Sequence, residues 1–310
     1  MEIDFTKMNG CGNDFVVIDA RKHGLQGLEL TQAQVQNIAK RDNFITKGCD
    51  QVLIIRPPKA GGTVFMEIRN ADGQVEACGN GTRAVAAYLA DNDNIQTGSI
   101  ETVGGILEYI TTQKMAGATP KQETEMQTFF ALVTIMMPPP KFDWQHIPLK
   151  EAVNDITRVQ LHPDLPLAFL VNLGNPHAVF FVTGETETFA RQYGAVLEQH
   201  SLFPARANIN FAWIEGYSSE ETIDKYQIQL HTWERGVGLT KSCGTGACAS
   251  TIACHHLFSK KLETSSTVKM SGGSLQVTYS TNKSFPMLAM DGEAEFEFEG
   301  KITLNDKVAI

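Results

Sequence analysis

The chain has 310 residues and a formal net charge of −9, with 42% hydrophobic and 20% charged residues. This composition is that of a globular protein of about two domains. The negative charge argues against a surface for nucleic acid or an anionic membrane. The sequence shows no signal-peptide pattern and no apolar run long enough to span a bilayer. We therefore expect a cytoplasmic protein whose six cysteines stay reduced.

Strand-like and helical segments alternate along the chain. Runs of β-type residues predict strands at 15–19, 51–55, 64–69, 106–111 and 129–136, and then at 168–173, 178–182, 211–215, 226–232 and 275–279. Helical spacing predicts helices at 31–41, 80–90, 185–199 and 244–258. The helices at 80–90 and 244–258 are rich in Ala and apolar on several faces, which is typical of buried helices. We expect two antiparallel sheets, each wrapped around a central helix.

One pattern occurs twice, about half the chain apart. Cys-Gly-x-Gly followed by an Ala-rich helical run appears in CGNGTRAVAAYLA and again in CGTGACASTIACH. Other blocks repeat in the same order, among them NGCGNDFVVI with NLGNPHAVFF. The repeats indicate a duplicated unit. We predict a first domain over 1–125, against which the tail 297–310 packs, a second domain over 126–296, and a crossover loop within 113–128.

Each Cys-Gly-x-Gly precedes a helix, where unpaired backbone N–H groups form an anion site. The helix field also lowers the pKa of a thiol at this position. Cys78 and Cys243 are therefore candidates for an acid and a base beside an anion cradle. If the halves face each other, a thiolate removes the α-proton of a bound amino acid and a thiol delivers a proton to the opposite face. This chemistry would invert the α-carbon without pyridoxal phosphate.

Other interpretations of the cysteines stay open. Cys11, Cys49, Cys248 and Cys254 are expected to be buried small residues. A disulfide between Cys78 and the second-half Cys243 would make a redox protein, or an oxidised and inactive enzyme. No Cys-x-x-Cys pair occurs and the histidines lack metal-ligand spacing, so we expect no metal.

Four blocks together resemble the signature of the diaminopimelate epimerase family: GNDFVVIDAR, NADGQVEACGNGTR, NLGNPHAV and ERGVGLTKSCGTGACA. The resemblance implies an α/β (α+β) fold of two homologous halves, each a β-barrel-like sheet around a central helix, related by a pseudo-two-fold axis. It implies cofactor-independent conversion of LL-2,6-diaminopimelate to meso-diaminopimelate, in lysine and peptidoglycan precursor synthesis. It also suggests a homodimer.

The resemblance implies roles for individual residues as well. Cys78 and Cys243 would be the catalytic acid and base, with His177 and Glu234 beside the thiols. The residues that would hold the substrate are Asn13, Gln51, Asn70, Gly79, Asn80, Asn175, Asn208, Glu234, Arg235, Gly244 and Thr245. Each asparagine also fits a turn or a cap, and His177 also fits a structural histidine after a proline turn.

The chain departs from the family pattern at a few positions. Asn9 and Cys11 stand where His and Leu are common, and Leu239 stands where Glu is usual. These departures leave open a racemase of another amino acid on the same scaffold. A thiol redox sensor, or an anion-binding module built on a retired enzyme, is a third candidate. Assays under strong reductant separate the three candidates. The epimerase turns over diaminopimelate, the racemase turns over another amino acid only, and the redox or binding protein turns over neither.

Overall fold

Four helices and sixteen strands form within the residues that the structure, a computed structural model, describes: 1–70, 79–112, 115–116, 129–216, 225–259 and 261–304. The chain divides into a first compact unit, residues 1–135 with 292–310, and a second, residues 136–291. The sequence prediction placed the boundaries after residues 125 and 296.

The first unit is a closed barrel around a helix. Its strands are β1 (Glu2–Gly10), β2 (Asn13–Asp19), β3 (Gln51–Arg56), β4 (Val64–Asn70), β5 (Thr97–Thr102), β6 (Gly105–Thr111), β7 (Met115–Ala116), β8 (Phe129–Met136) and the last part of β16 (Met287–Thr303). They run in the order β7-β8-β6-β5-β4-β3-β2-β1-β16, and β8 also pairs with β16, which closes eight strands into a ring.

Two helices cover the two faces of this sheet. Helix α2 (Gly79–Asn92) is buried from Asn80 to Ala90 and contacts β1 to β6. Helix α1 (Gln32–Ala39) packs in a second apolar cluster with alternate residues of β1, β2 and β3. Because both faces are covered, every residue of FVVI in β2 and VLII in β3 is at most 1% exposed. Such continuous apolar runs are typical of strands buried on both faces.

The second unit wraps its sheet around a helix in the same way. Its strands are β9 (Phe169–Asn172), β10 (Pro176–Phe181), β11 (Asn208–Ile214), β12 (Lys225–Glu234), β13 (Gly238–Thr240), β14 (Glu263–Met270), β15 (Gly273–Ser280) and the first part of β16. Helix α4 (Gly244–Phe258) is buried from Gly246 to His255 and contacts strands from β9 to β15. Helix α3 (Thr186–Glu198) packs on β11 and β12.

The two units share one connectivity. In both, successive strand pairs alternate antiparallel, parallel, antiparallel, parallel and antiparallel, from β1–β2 to β5–β6 and from β9–β10 to β14–β15. The register agrees as well, since Phe15 pairs with Gln51 as His177 pairs with Asn208. The predicted duplication and central helices are confirmed. The expectation of purely antiparallel sheets is wrong. Each connection that contains a helix joins two neighbouring strands that run parallel to each other.

All four predicted helices form, and α4 has the predicted bounds. Strands β1, β5, β7, β13, β14 and β16 are absent from the prediction, which followed continuous runs of β-type residues, whereas polar residues interrupt the apolar ones in these strands or the strands are very short. Apart from β7, the predicted crossover loop lies outside the described residues.

A two-residue turn joins β1 to β2. Cys11 and Gly12 both have positive φ, 56° and 74°, between the paired residues Gly10 and Asn13. Two successive positive φ values are the mark of a type I′ hairpin turn, which favours Asn-Gly. The Cβ of Cys11 therefore makes this conformation unfavourable by about 1 kcal/mol.

We expect Cys11→Asn to raise the free energy of unfolding by about 0.5 to 1 kcal/mol, because Asn tolerates the left-handed region better than Cys. Urea denaturation under reductant measures the change. Cys11→Ala is the matched control, since it removes the thiol but leaves a Cβ in the same backbone conformation. Equal stability of the two variants would contradict the assignment of strain to this turn.

Candidate active site

The Cys243 thiol lies at the start of the central helix of the second unit. Cys243 is the N-cap of α4, with φ −136° and ψ 107°, and its Sγ accepts a hydrogen bond from the Gly246 N–H at 3.4 Å. The Thr245 hydroxyl is 3.6 Å from the same sulfur. The residue is 4% exposed and is not in a disulfide. The structure thus places the predicted thiol at a helix N-terminus.

The protonation state of Cys243, which the sequence left open, follows from its surroundings. Burial raises its pKa well above the usual 9.0, and the nearby Glu234 carboxylate raises it further. The Thr245 hydroxyl and the Gly246 N–H lower the pKa but do not outweigh these two effects. The helix start therefore acts on the pKa of Cys243 in the predicted direction, but burial and Glu234 outweigh it and the net pKa is raised. The sulfur is a thiol, and it donates a hydrogen bond to Glu234.

Glu234 is held at the end of β12 by the hairpin that follows. Its Oε1 accepts a hydrogen bond from the Thr240 hydroxyl at 2.6 Å, and Glu234 pairs with Gly238 across the β12–β13 ladder. The intervening turn contains Gly236 and Gly238 with φ of 78° and 100°. Glycine at these two positions lets the chain reverse within a few residues and return Thr240 to the carboxylate.

A buried carboxylate, Glu198, anchors the same turn from the end of α3. Its two oxygens accept hydrogen bonds from the Gly236 N–H at 2.8 Å and from the Trp233 indole N–H at 2.9 Å. Arg206 lies 3.3 Å from one of them. These bonds lower the pKa of Glu198 despite its burial, so that it is ionised at neutral pH. No motif in the sequence marked Glu198, because its role depends on contacts made only in the fold.

Leu239 has a packing role in this hairpin. It pairs with Trp233, and both side chains are partly buried against the apolar cluster between α3 and the sheet. Successive side chains of a strand point to opposite faces. Leu239 therefore faces the core while its neighbour Thr240 bonds Glu234.

Asn208 and Arg235 connect strand β11 to the turn. The Asn208 Oδ1 accepts the Arg235 backbone N–H at 2.9 Å, and the Asn208 Nδ2 donates to the Pro176 carbonyl at 3.3 Å. The Arg235 guanidinium is at the surface, where it is 3.4 Å from the Ala205 carbonyl. Its charge is available to a ligand near the turn.

His177 is fully buried among amides. Its Nε2 is 3.0 Å from the Asn175 Oδ1 and its Nδ1 is 3.1 Å from the Asn210 Nδ2. Burial lowers the pKa of His177 to about 3, although the Asn210 hydrogen bond acts in the opposite direction. The imidazole is therefore uncharged at neutral pH. Its path to the thiol runs through Asn175, whose Nδ2 is 3.5 Å from the Thr245 hydroxyl.

The predicted residues of the first unit lie at equivalent places. Gln51 pairs with Asn70, and its amide donates to the Asn70 Oδ1 at 2.9 Å. Gly79 and Asn80 begin α2, where the Asn80 Oδ1 accepts a hydrogen bond from the buried Arg83 at 2.9 Å. Cys78 lies outside the described residues, so its role stays a prediction.

An ionic network holds Asn13 beside these residues. Its amide donates to the Asp50 carboxylate at 2.8 Å, and Asp50 is bonded in turn to Arg41. Arg41 also donates to Asp14 at 2.6 Å, and Asp14 accepts from the buried Lys7. Asp50 immediately precedes Gln51, so the network orders both predicted binding residues.

Two further kinds of feature, metal sites and membrane-spanning helices, can be checked among the described residues. No group of three or more His, Cys, Asp or Glu residues among them could hold a metal ion. Within the same residues, no helix combines the length and apolar character that a membrane span requires.

Comparison with known proteins assigns the family. The sequence profile of diaminopimelate epimerase matches residues 5–124 and 169–297. The chain belongs to the diaminopimelate epimerase family. A relative of that name from Caulobacter vibrioides (strain NA1000 / CB15N) is 38% identical over 315 residues, covering 97% of this chain and 98% of its own. Another from Acidiphilium cryptum is 38% identical, covering 96% and 95%.

A solved structure supports the fold. The Bacillus anthracis phenazine biosynthesis protein of the PhzF family has a TM-score of 0.63 at 17% identity, covering 98% of this chain and 100% of its own. At this identity the likeness concerns the fold alone. Together with the family assignment it agrees with two units whose strands each enclose a helix.

We expect Asp14→Asn to lower the free energy of unfolding at pH 7 by about 1 to 2 kcal/mol, after allowance for solvent screening of the network. Burial alone would raise the pKa of Asp14, but Arg41 and Lys7 outweigh it and lower the pKa from 3.8 to about 2. A lowered carboxyl pKa stabilises the fold above the unfolded value near 4 and ceases to do so as the pH falls towards 2.

Denaturation at several pH values measures this contribution. The difference between the wild type and Asp14→Asn should shrink as the pH falls through this window. Asp42→Asn is the matched control, because Asp42 is exposed close by and should change stability little. A pH-independent difference for Asp14→Asn would show that the charge of Asp14 is not what stabilises the network.

Proposed function

We propose that the protein epimerises LL-2,6-diaminopimelate to meso-diaminopimelate by moving a proton at one α-carbon, with two thiols as base and acid. The observation that carries the proposal is the Cys243 thiol at the start of α4 with Glu234 as its hydrogen-bond acceptor. The family assignment supports diaminopimelate as substrate. The reaction belongs to lysine and cell-wall precursor synthesis.

The start of α4 would bind the carboxylate of the reacting centre. In a helix the first N–H groups lack an intrahelical carbonyl, and here those are the groups of Gly244 and Thr245. The next N–H, that of Gly246, is already directed at the sulfur. A carboxylate held by the first two N–H groups would lie beside the thiol. The same donors would stabilise the charge that develops on the carboxylate as the α-proton leaves.

The protonation state of Cys243 decides whether it acts first as an acid or as a base. As a thiol it is ready to deliver its proton to the α-carbon, while the Cys78 thiolate removes the proton on the other face. The Cys243 thiolate that remains would be stabilised by the Gly246 N–H and the Thr245 hydroxyl. In the reverse direction, Glu234 would take the thiol proton, the Cys243 thiolate would remove the α-proton of the meso isomer, and Cys78, then a thiol, would deliver a proton to the opposite face.

The distal end of the substrate carries a second ammonium and a second carboxylate. Arg235 presents a charged guanidinium at the turn, which suits a carboxylate. Asn13, Gln51, Asn70 and Asn208 supply amides that would hold the remaining polar groups. We propose that these side chains make the selection for diaminopimelate over amino acids with a single ionic end.

We expect wild-type protein with LL-diaminopimelate in heavy water, under strong reductant and without pyridoxal phosphate, to lose the α-proton NMR signal and form the meso isomer. Cys243→Ala and Cys78→Ala should each lower this rate by about 100- to 10,000-fold, because each removes one proton-transfer group. Cys254→Ala is the matched control, since Cys254 is buried in the interior of the same helix, and it should retain activity.

The other outcomes of this experiment are distinct. Near-full activity of Cys243→Ala would contradict the two-thiol mechanism. Exchange of the α-proton of another amino acid, without diaminopimelate turnover, would identify a racemase on the same scaffold. If no amino acid loses its α-proton signal under reductant, a redox or anion-binding protein would be favoured.

A further inference from the structure

Asn210 occupies a position that no motif in the sequence marked. It lies on β11, two residues beyond Asn208, and its side chain is fully buried. Its Nδ2 is 3.1 Å from the Nδ1 of His177. What Asn210 does therefore depends on which way its amide group faces.

The contacts of Asn210 determine that orientation. Its Nδ2 is 3.1 Å from the Ala178 carbonyl, a group that can only accept a hydrogen bond. Its Oδ1 accepts the Thr232 hydroxyl at 3.0 Å. The Asn208 carbonyl lies farther from the Nδ2, at 3.4 Å, so one amide hydrogen is on the Ala178 carbonyl and the second is directed mainly at His177. The donor end of the amide therefore faces the imidazole.

The tautomer of His177 follows from this orientation. A nitrogen that accepts a hydrogen bond carries no proton, so Nδ1 is unprotonated. In the neutral ring the proton is then on Nε2, which donates to the Asn175 Oδ1 at 3.0 Å. The Asn208 Nδ2, at 3.5 Å from the same Nε2, makes no hydrogen bond there because both atoms carry hydrogen.

The chain of contacts continues from His177 to the thiol. Because the Asn175 Oδ1 accepts from His177, the NH₂ end of Asn175 is directed at the Thr245 hydroxyl, 3.5 Å away. Thr245 is in turn 3.6 Å from the Cys243 Sγ. The Asn210 amide thus orients His177, and His177 in turn orients the Asn175 amide that faces the Thr245 hydroxyl.

Helix α4 packs directly against the beginning of this series. A Cβ added to Gly246 would lie 2.6 Å from the Asn210 Oδ1 and 2.8 Å from the Thr232 Oγ1. At these distances an added Cβ would force the Asn210 and Thr232 side chains to shift. The first turn of the helix that carries the thiol therefore rests on the Thr232–Asn210 pair.

We propose that Asn210 is a positioning residue that fixes His177 as the neutral Nε2–H tautomer and, through Asn175, orients the groups around the Cys243 thiol. Its effect on turnover rests on the proposed epimerase function, whereas its effect on the tautomer does not. In this assignment His177 exchanges no proton with the substrate.

The tautomer can be measured directly by NMR of protein labelled with ¹⁵N-histidine, with His177 assigned from the signal lost in His177→Gln. We expect the wild type to show a protonated Nε2 and an unprotonated Nδ1, unchanged between about pH 5 and 8. Asn210→Asp should reverse this pattern or protonate both nitrogens, because a carboxylate accepts a proton from Nδ1.

Kinetics on the same variants test the link to the thiol. Asn210→Asp should lower kcat on the order of 100-fold with a smaller change in KM, since it misplaces groups around the reacting centre. Thr232→Val removes only the hydroxyl that supports the Asn210 Oδ1. It should keep the wild-type tautomer and lose less activity. Asn282→Asp is the matched control at a half-buried turn of the same unit, and it should match the wild type.

Several results would overturn the proposal. One is a wild-type His177 with its proton on Nδ1 or on both nitrogens, a measurement that needs no variant to fold. Another is an Asn210→Asp protein that keeps the wild-type pattern, or one that changes tautomer yet turns over at the wild-type rate. A wild-type protein with the expected tautomer but without epimerase activity would refute the proposed function and leave the tautomer assignment standing.

Discussion

Confinement of one helix inside a sheet is the constraint on which the rest of the second unit depends. Because strands contact α4 from several sides, its interior residues must be small or apolar, and a Cβ at position 246 in the first turn would displace Asn210 and Thr232. The same confinement removes water from the thiol at the N-cap. The burial of the thiol and its contacts with Glu234 of β12 and, through Thr245, with Asn175 next to β10 all depend on the position of this helix.

The electrostatics of the site show two opposed effects at one sulfur. The helix start and the Thr245 hydroxyl favour the thiolate, whereas burial and Glu234 favour the thiol. The balance holds the proton on Cys243 until a ligand changes it. A carboxylate bound at the helix start would further discourage a second negative charge there, which suits a group that first acts as an acid.

The duplicated units share a backbone but differ in the side chains at corresponding places. Phe15 and Gln51 pair in the first unit as His177 and Asn208 pair in the second. Asn70 ends β4 where Glu234 ends β12. An amide therefore replaces the carboxylate, and a phenyl ring replaces the imidazole. The two repeats offer chemically different surroundings on one scaffold, which is consistent with unlike roles for the two cysteines.

Much of this protein is determined by sequence. The central helices are recognisable because Ala-rich runs without a polar face can only be buried, and the duplicated Cys-Gly-x-Gly blocks mark their starts. Long strands with a polar face, such as β1 and β16, were not predicted because the prediction relied on continuous apolar runs, and their apolar residues alternate with charged ones. Family-type blocks identified Cys243, Glu234 and His177 by their local sequence.

Only the tertiary structure decided the state of those groups. The pKa of Cys243 depends on burial and on a carboxylate from another strand, and the tautomer of His177 depends on the amide of Asn210 on a neighbouring strand. Glu198 bonds a turn 38 residues along the chain. Such contacts leave no periodic or local signal, because residues far apart in sequence are brought together only when the sheet closes around the helix.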